Sequence, residues 1–181
     1  MDICEKVSIR KFSKQDISNK INWINNSDNN KYLHYELPLQ FDKTVEWYDR
    51  IKNLDTRYDA VIEFDKVPVG LIGLLNIDKK NKKAEYYICM GDGNFKGKGI
   101  ATIASEQLLN YAFNTLNLNK VYLYTEKDNI AAQRLFEKLG FIKEGELKQD
   151  LIYMGRKVDR YIYGVFCNGW VYHANSQDQS K

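Results

Sequence analysis

Gly97-Lys98-Gly99 stands directly before a run in which Ile100, Ile103, Ala104, Leu108, Tyr111 and Ala112 recur at helical spacing. Glycine lets the backbone approach a ligand closely, and the first N–H groups of a helix have no partner within it. With the helix dipole and the ammonium groups of Lys96 and Lys98 beside them, such groups suit an anion, phosphate above all. Two common phosphate motifs do not fit. The dinucleotide fingerprint needs a third glycine where Thr102 stands, and G-x-x-x-x-G-K-[ST] is absent. A strand-to-helix turn with no ligand is the plain alternative.

The elements that must hold this loop follow from the pattern along the chain. Residues 7–12 alternate as a strand does, and Ser13 to Asp16 reads as a capping signal for a helix carrying Ile17, Ile21 and Ile24. "NNSDNN" breaks that helix, the stretch around Pro38 is irregular, and Asp42 is placed to cap a second helix with Val45, Trp47, Tyr48 and Ile51. Strands at 58–64, 69–77 and 84–90 make a meander through the turn Asp65-Lys66 and a polar loop at 78–82. A helix over 99–116, a strand over 120–125 and a helix over 128–139 follow, with Gly140 as a C-terminal cap. Strands 141–152 and 157–166 flank Met154-Gly155 as a hairpin. Hairpins dominate this order, which predicts a mixed α/β (α+β) domain with a largely antiparallel sheet.

"KGKGIATIA", followed by "NKVYLYTEKDNIAAQRLFEKLGF", resembles the GNAT superfamily of acyl-CoA-dependent N-acetyltransferases. The chain looks nearest to its spermidine and ribosomal-protein N-terminal branch and to the amino-sugar acetyltransferases. The resemblance covers most of 6–166. It implies a GNAT fold and acetyl-CoA as co-substrate, with the backbone of Lys96, Gly97, Lys98, Gly99, Ile100 and Ala101 holding the pyrophosphate. It further implies that Ile88, Cys89 and Met90, ending the fourth strand, pair with the pantetheine arm, and that Asn129 reaches that arm. One departure is Asn94, where the family usually has Gln or Arg.

The implied reaction moves acetyl from a thioester to an amine. The amine must lose a proton, the oxyanion needs donors, and the departing thiolate can take a proton. The family often supplies the acid from a tyrosine at the position of Phe136, which has no proton to give and reads instead as core with Ala132, Leu135 and Leu139. Tyr124 and Tyr87 are then the candidate acids and Glu85 the candidate base. Cys89 reads as a buried strand thiol rather than a nucleophile. His34 and Glu36, in "KYLHYELP", lie in a loop that borders the acceptor site in the resembled family.

The 181 residues suit a single domain over 1–173, with a disordered tail at 174–181. A net charge of +3 is too mild to point to nucleic acid but permits an anionic ligand. Three cysteines far apart lack metal spacing and suit free thiols in the cytoplasm. No apolar run is long enough to read as a membrane span. The partner expected is a small-molecule amine, and the resembled branch makes a homodimer an option. The stretch "NNKYLHYELPLQFDKTVEWY" looks more like the amino-sugar branch, and that resemblance, with the mild basic balance and Tyr32 and Tyr35 near Glu36, implies a nucleotide-linked amino sugar as acceptor. The alternatives are a polyamine, a protein N-terminus, or a silent CoA-binding module.

Overall fold

The computed structural model describes residues 3–170, so the tail expected over 174–181 lies outside the described residues. Helix α1 (Ile3–Lys6) leads into strand β1 (Val7–Lys11), then α2 (Ile17–Asn25), α3 (Ser27–Asn30) and α4 (Phe41–Ile51). Strands β2 (Tyr58–Phe64), β3 (Val67–Asp78) and β4 (Lys83–Met90) form the meander. Helix α5 (Ile100–Asn110), strand β5 (Lys120–Glu126) and helix α6 (Ile130–Lys138) precede the hairpin of β6 (Ile142–Tyr153) and β7 (Arg156–Phe166). One sheet results, in the order β1-β2-β3-β4-β5-β7-β6, antiparallel throughout except for β4 with β5. This is the mixed, mostly antiparallel architecture that the sequence predicts.

Successive residues of a strand face opposite ways. Ile72 and Leu74 of β3 therefore join Ile100, Ala104 and Leu108 of α5 in the larger core, which also holds Tyr86, Leu123 and Phe136. Leu71 and Val61 turn the other way and pack with Ile17 and with the rings of Trp47 and Tyr48. Covering on both faces explains why 69–75 is apolar without a break.

Several boundaries differ from expectation, among them those of α4 and α5. Helix α4 starts two residues earlier than a cap at Asp42 would allow: Gln40 is the N-cap, and Asp42 sits in the first turn, where its charge still suits the dipole. The helix expected to reach residue 116 changes character at Tyr111, and Tyr111–Thr115 is a π-helical turn. The wider turn lets the adjacent Ala112 and Phe113 both reach the core.

The lead into α2 is fixed by charge. Arg10 on β1 donates twice to Asp16, at 2.8 Å each, and once to Glu63 at 2.6 Å. Asp16 also accepts from the Ser13 N–H and hydroxyl. Burial alone would raise the Asp16 carboxyl, but these donors outweigh it and hold it below the ordinary 3.8. Asp16→Asn should destabilise the fold by about 2 kcal/mol in urea denaturation at pH 7, less than for a fully buried pair because solvent reaches the Arg10 guanidinium. A depressed folded value means stability present above the unfolded value and lost as pH falls through the folded one. The variant's deficit should therefore shrink as pH drops below about 4.

Candidate active site

β4 and β5 run together only where Lys83, Ala84 and Glu85 face Lys120, Val121 and Tyr122. Beyond Glu85 the strands part, while β4 stays paired with β3 as far as Met90. One edge of β4 is thus left without a neighbouring strand, and its backbone groups are available to a ligand that can pair with them. The parting opens a cavity of about 450 Å³ that extends to α2 and to the loop after α3. Glu85, Tyr87, Ile88, Cys89, Met90, Tyr124 and Asn129 all line it, and so do Lys96 and His34. Glu36 is exposed and does not.

From β4 the chain turns through Gly93–Phe95 and passes Gly97 and Gly99 with φ of +75° and +80°. Those values favour glycine at both positions. Among the described residues, the N–H groups of Gly97, Lys98, Gly99, Ile100 and Ala101 donate to no protein acceptor. A Cβ built at Gly97 or Gly99 would meet nothing within 4 Å, so the space before these donors is open. The Lys96 N–H differs. It donates to the Gly93 carbonyl at 3.1 Å, and the run of free donors starts at Gly97. The Lys96 ammonium is tied to Asn29 at 2.8 Å, and that of Lys98 stands 5.5 Å from the Phe95 ring centroid. A left-handed turn, free N–H groups at a helix start and two nearby cations fit a pyrophosphate.

Asn129 caps α6, its Oδ1 accepting from the Ala132 N–H at 3.2 Å. Its amide nitrogen has no protein partner among the described residues and can donate into the cavity.

The proton-carrying groups separate by environment. The Tyr87 hydroxyl donates to Asp59 at 2.7 Å, and burial, with the Asp59 charge, pushes it well above its ordinary value. The Tyr124 hydroxyl has no protein partner among the described residues, and its ring lies under the Arg160 guanidinium at 4.5 Å. Glu85 is held by the Asn76 amide at 2.9 Å. Burial pushes the Cys89 thiol up to about 11. Phe136 is 5% exposed and packs on the rings of Tyr86, Phe141 and Tyr163.

His34 meets a residue that the sequence reading passed over. Its Nε2 lies 2.8 Å from Oε1 of Glu126, whose buried carboxylate also accepts from Arg156. The His34 ring packs edge-on against Tyr153. The same loop is fastened by Tyr32, which donates to the Asp128 carbonyl, and by Tyr153, which donates to the Tyr35 carbonyl, each at 3.1 Å. Asp59, Arg57 and Lys20 were also missed. Arg57 grips Asp59 at 2.6 and 2.8 Å, and Lys20 is buried. The signals were present. Lys20 falls on the stripe of Ile17, Ile21 and Ile24, and Glu126 continues the alternation of Tyr122 and Tyr124.

The chain matches the acetyltransferase (GNAT) domain family over residues 6–142. It is 30% identical over 156 residues to spermidine N(1)-acetyltransferase of Escherichia coli (strain K12), covering 86% of this chain and 83% of that one. The corresponding Vibrio cholerae enzyme is 32% identical over 144 residues, covering 77% and 83%. The crystal structure of spermidine N-acetyltransferase from Vibrio cholerae in complex with CoA and spermine superposes with a TM-score of 0.84 at 28% identity, covering 91% of this chain and 97% of that one.

Gly99→Ala should strain the turn by about 1–2 kcal/mol and disturb its donors. Titration calorimetry should show acetyl-CoA binding about tenfold or more weaker, with the fold intact by circular dichroism; unchanged affinity would remove the phosphate cradle. Phe136→Leu should retain kcat within about tenfold and cost about 1.5 kcal/mol or less. A hundredfold loss in a stable variant would give the ring a chemical role.

Proposed function

The chain belongs to the acetyltransferase (GNAT) domain family and moves acetyl from acetyl-CoA to an amine, and we propose that its acceptor is an aliphatic amine of the polyamine class. The observation that carries this reading is the cavity wall. Asp59, Glu85 and Glu126 come from three strands and all line the space where β4 and β5 part. Arg57 already meets Asp59, and His34 and Arg156 meet Glu126, so Glu85 is the carboxylate left to face an ammonium of the acceptor. The names of the relatives support the same class. The nucleotide-linked amino sugar favoured by the sequence reading has no comparable support among these relatives, and a protein N-terminus ranks behind a polyamine. On this reading residues 1–173 act as one domain in the cytoplasm; no helix among the described residues is long and apolar enough to cross a membrane.

Acetyl-CoA supplies the activated acyl group, a thioester. The N–H groups of Gly97 to Ala101 bind its pyrophosphate, Asn129 donates to its arm, and the open edge of β4 at Ile88, Cys89 and Met90 pairs alongside. Glu85 takes a proton from the incoming ammonium, directly or through a water, and the Asn76 amide holds it in place. Backbone N–H groups of β4 facing the gap stabilise charge on the carbonyl oxygen. Tyr124 is the better placed acid, because its hydroxyl is uncommitted whereas that of Tyr87 is given to Asp59. His34 and Glu126 border the acceptor.

An acceptor panel tests the class: spermidine, putrescine, UDP- and dTDP-linked 4-amino sugars, and a peptide with a free N-terminus, each assayed for CoA release in one buffer. Turnover should be confined to the aliphatic amines, and turnover of a sugar nucleotide alone would reverse the assignment. Glu85→Gln should lower kcat about a hundredfold with little change in acetyl-CoA affinity, on the scale of losing a positioned base. A variant with undiminished kcat would remove Glu85 from the chemistry.

A further inference from the structure

Lys20 is an unusual resident of a substrate cavity. It projects from α2, is 6% exposed, and lines the same space as Glu85, Tyr87 and Cys89. Its ammonium lies 4.4 Å from the Trp47 ring centroid and 5.1 Å from that of Tyr35. Among the described residues its one protein hydrogen bond is a long contact of 3.5 Å to the Tyr35 hydroxyl. Asp59 is the anion whose charge favours it, yet the Asp59 oxygens are already engaged by Arg57 and Tyr87. Aromatic faces beside a carboxylate are the surroundings that receive an alkylammonium ligand. Here the alkylammonium belongs to the protein.

A lysine side chain is four methylenes ending in an ammonium, the same chemistry as one end of an aliphatic polyamine. We propose that Lys20 is a specificity-determining residue whose ammonium fills the box of Trp47, Tyr35 and Asp59, so that the box is closed to the far ammonium of a long polyamine and the protein selects short diamines. This rests on the aliphatic-amine reading above. Two features of the site support it. Burial pushes the Lys20 ammonium down to about 8, so it still carries its proton in most molecules at neutral pH and the box stays occupied by a cation. The Arg57 guanidinium, 5.4 Å from the same Trp47 ring, adds a second positive charge that repels a third. Glu85, outside the box and held only by the Asn76 amide, remains to meet a cation of a short acceptor.

The test is calorimetry on the CoA-saturated protein with 1,3-diaminopropane and with spermidine. The wild type should bind the diamine at least as tightly as spermidine. Lys20→Ala empties the box, and its preference should shift toward spermidine by about tenfold or more. Lys20→Met keeps the box filled without the charge and should stay near the wild-type preference. Circular dichroism and a thermal melt confirm that each variant is folded. An unchanged preference in folded Lys20→Ala overturns the proposal, as does failure of both amines to bind both proteins. It is also overturned if Lys20→Ala loses affinity for ornithine but not for putrescine, since Lys20 would then be meeting a carboxylate. CoA release with the same amines is read separately. A binding shift as expected without turnover of any aliphatic amine would sink the polyamine reading and leave the filled box standing.

Discussion

The parallel contact between β4 and β5 lasts from Lys83 to Glu85 and no further, and the site depends on its ending there. A parallel pair needs a crossover, and the crossover here is α5. After Met90 the chain passes the turn at Gly93–Phe95 and enters α5 at Ile100, so the free N–H groups of Gly97 to Ala101 follow in sequence the strand edge that the parting exposes. One extended, phosphorylated ligand can use both. Had β5 followed β4 to Met90, the ladder would have satisfied those groups and closed the sheet.

What keeps the strands apart is packing from below. Phe136 of α6 presses edge-on against Tyr86 of β4, 5.9 Å between centroids, and also meets Tyr163 of β7. Tyr86 is fixed further by its hydroxyl, which pairs with Ser105 of α5 at 2.7 Å. These rings form an apolar floor under the gap, and the groups able to move protons stand on the opposite side of the sheet. At the position that resembles the family's acid, Phe136 is a core residue. The far wall is tied by polar contacts over long spans of chain: His34 to Glu126, Tyr32 to the Asp128 carbonyl, Tyr153 to the Tyr35 carbonyl.

Much of this was legible in the residues. Tyr58–Phe64 was readable to both of its ends, because alternation and flanking turns both marked it. The glycine loop was readable because its chemistry is local: a left-handed backbone before a helix start needs only neighbours in sequence, whereas Asn129 was named only through the family resemblance. Contacts between distant positions were not readable. Glu126 and His34 are separated by 92 positions, and neither residue type says whom it will meet. Lys20 was hidden for another reason. On a helical stripe of isoleucines it reads as a polar interruption, since burial of a lysine is disfavoured unless the site supplies partners. The aromatic rings that supply them come from α4 and the loop before it.

The position of Cys89 bears on how the protein weathers oxidants. Peroxides and alkylating agents react with thiolates, and a thiol held near 11 is ionised in only about one molecule in ten thousand at pH 7. Cys4 and Cys167, by contrast, are exposed and bear no disulfide, and neither lines the cavity. Oxidation of thiols therefore falls first on Cys4 and Cys167, which are exposed and outside the cavity. Cys89, which lines the cavity, is spared by the same burial that makes it part of the wall.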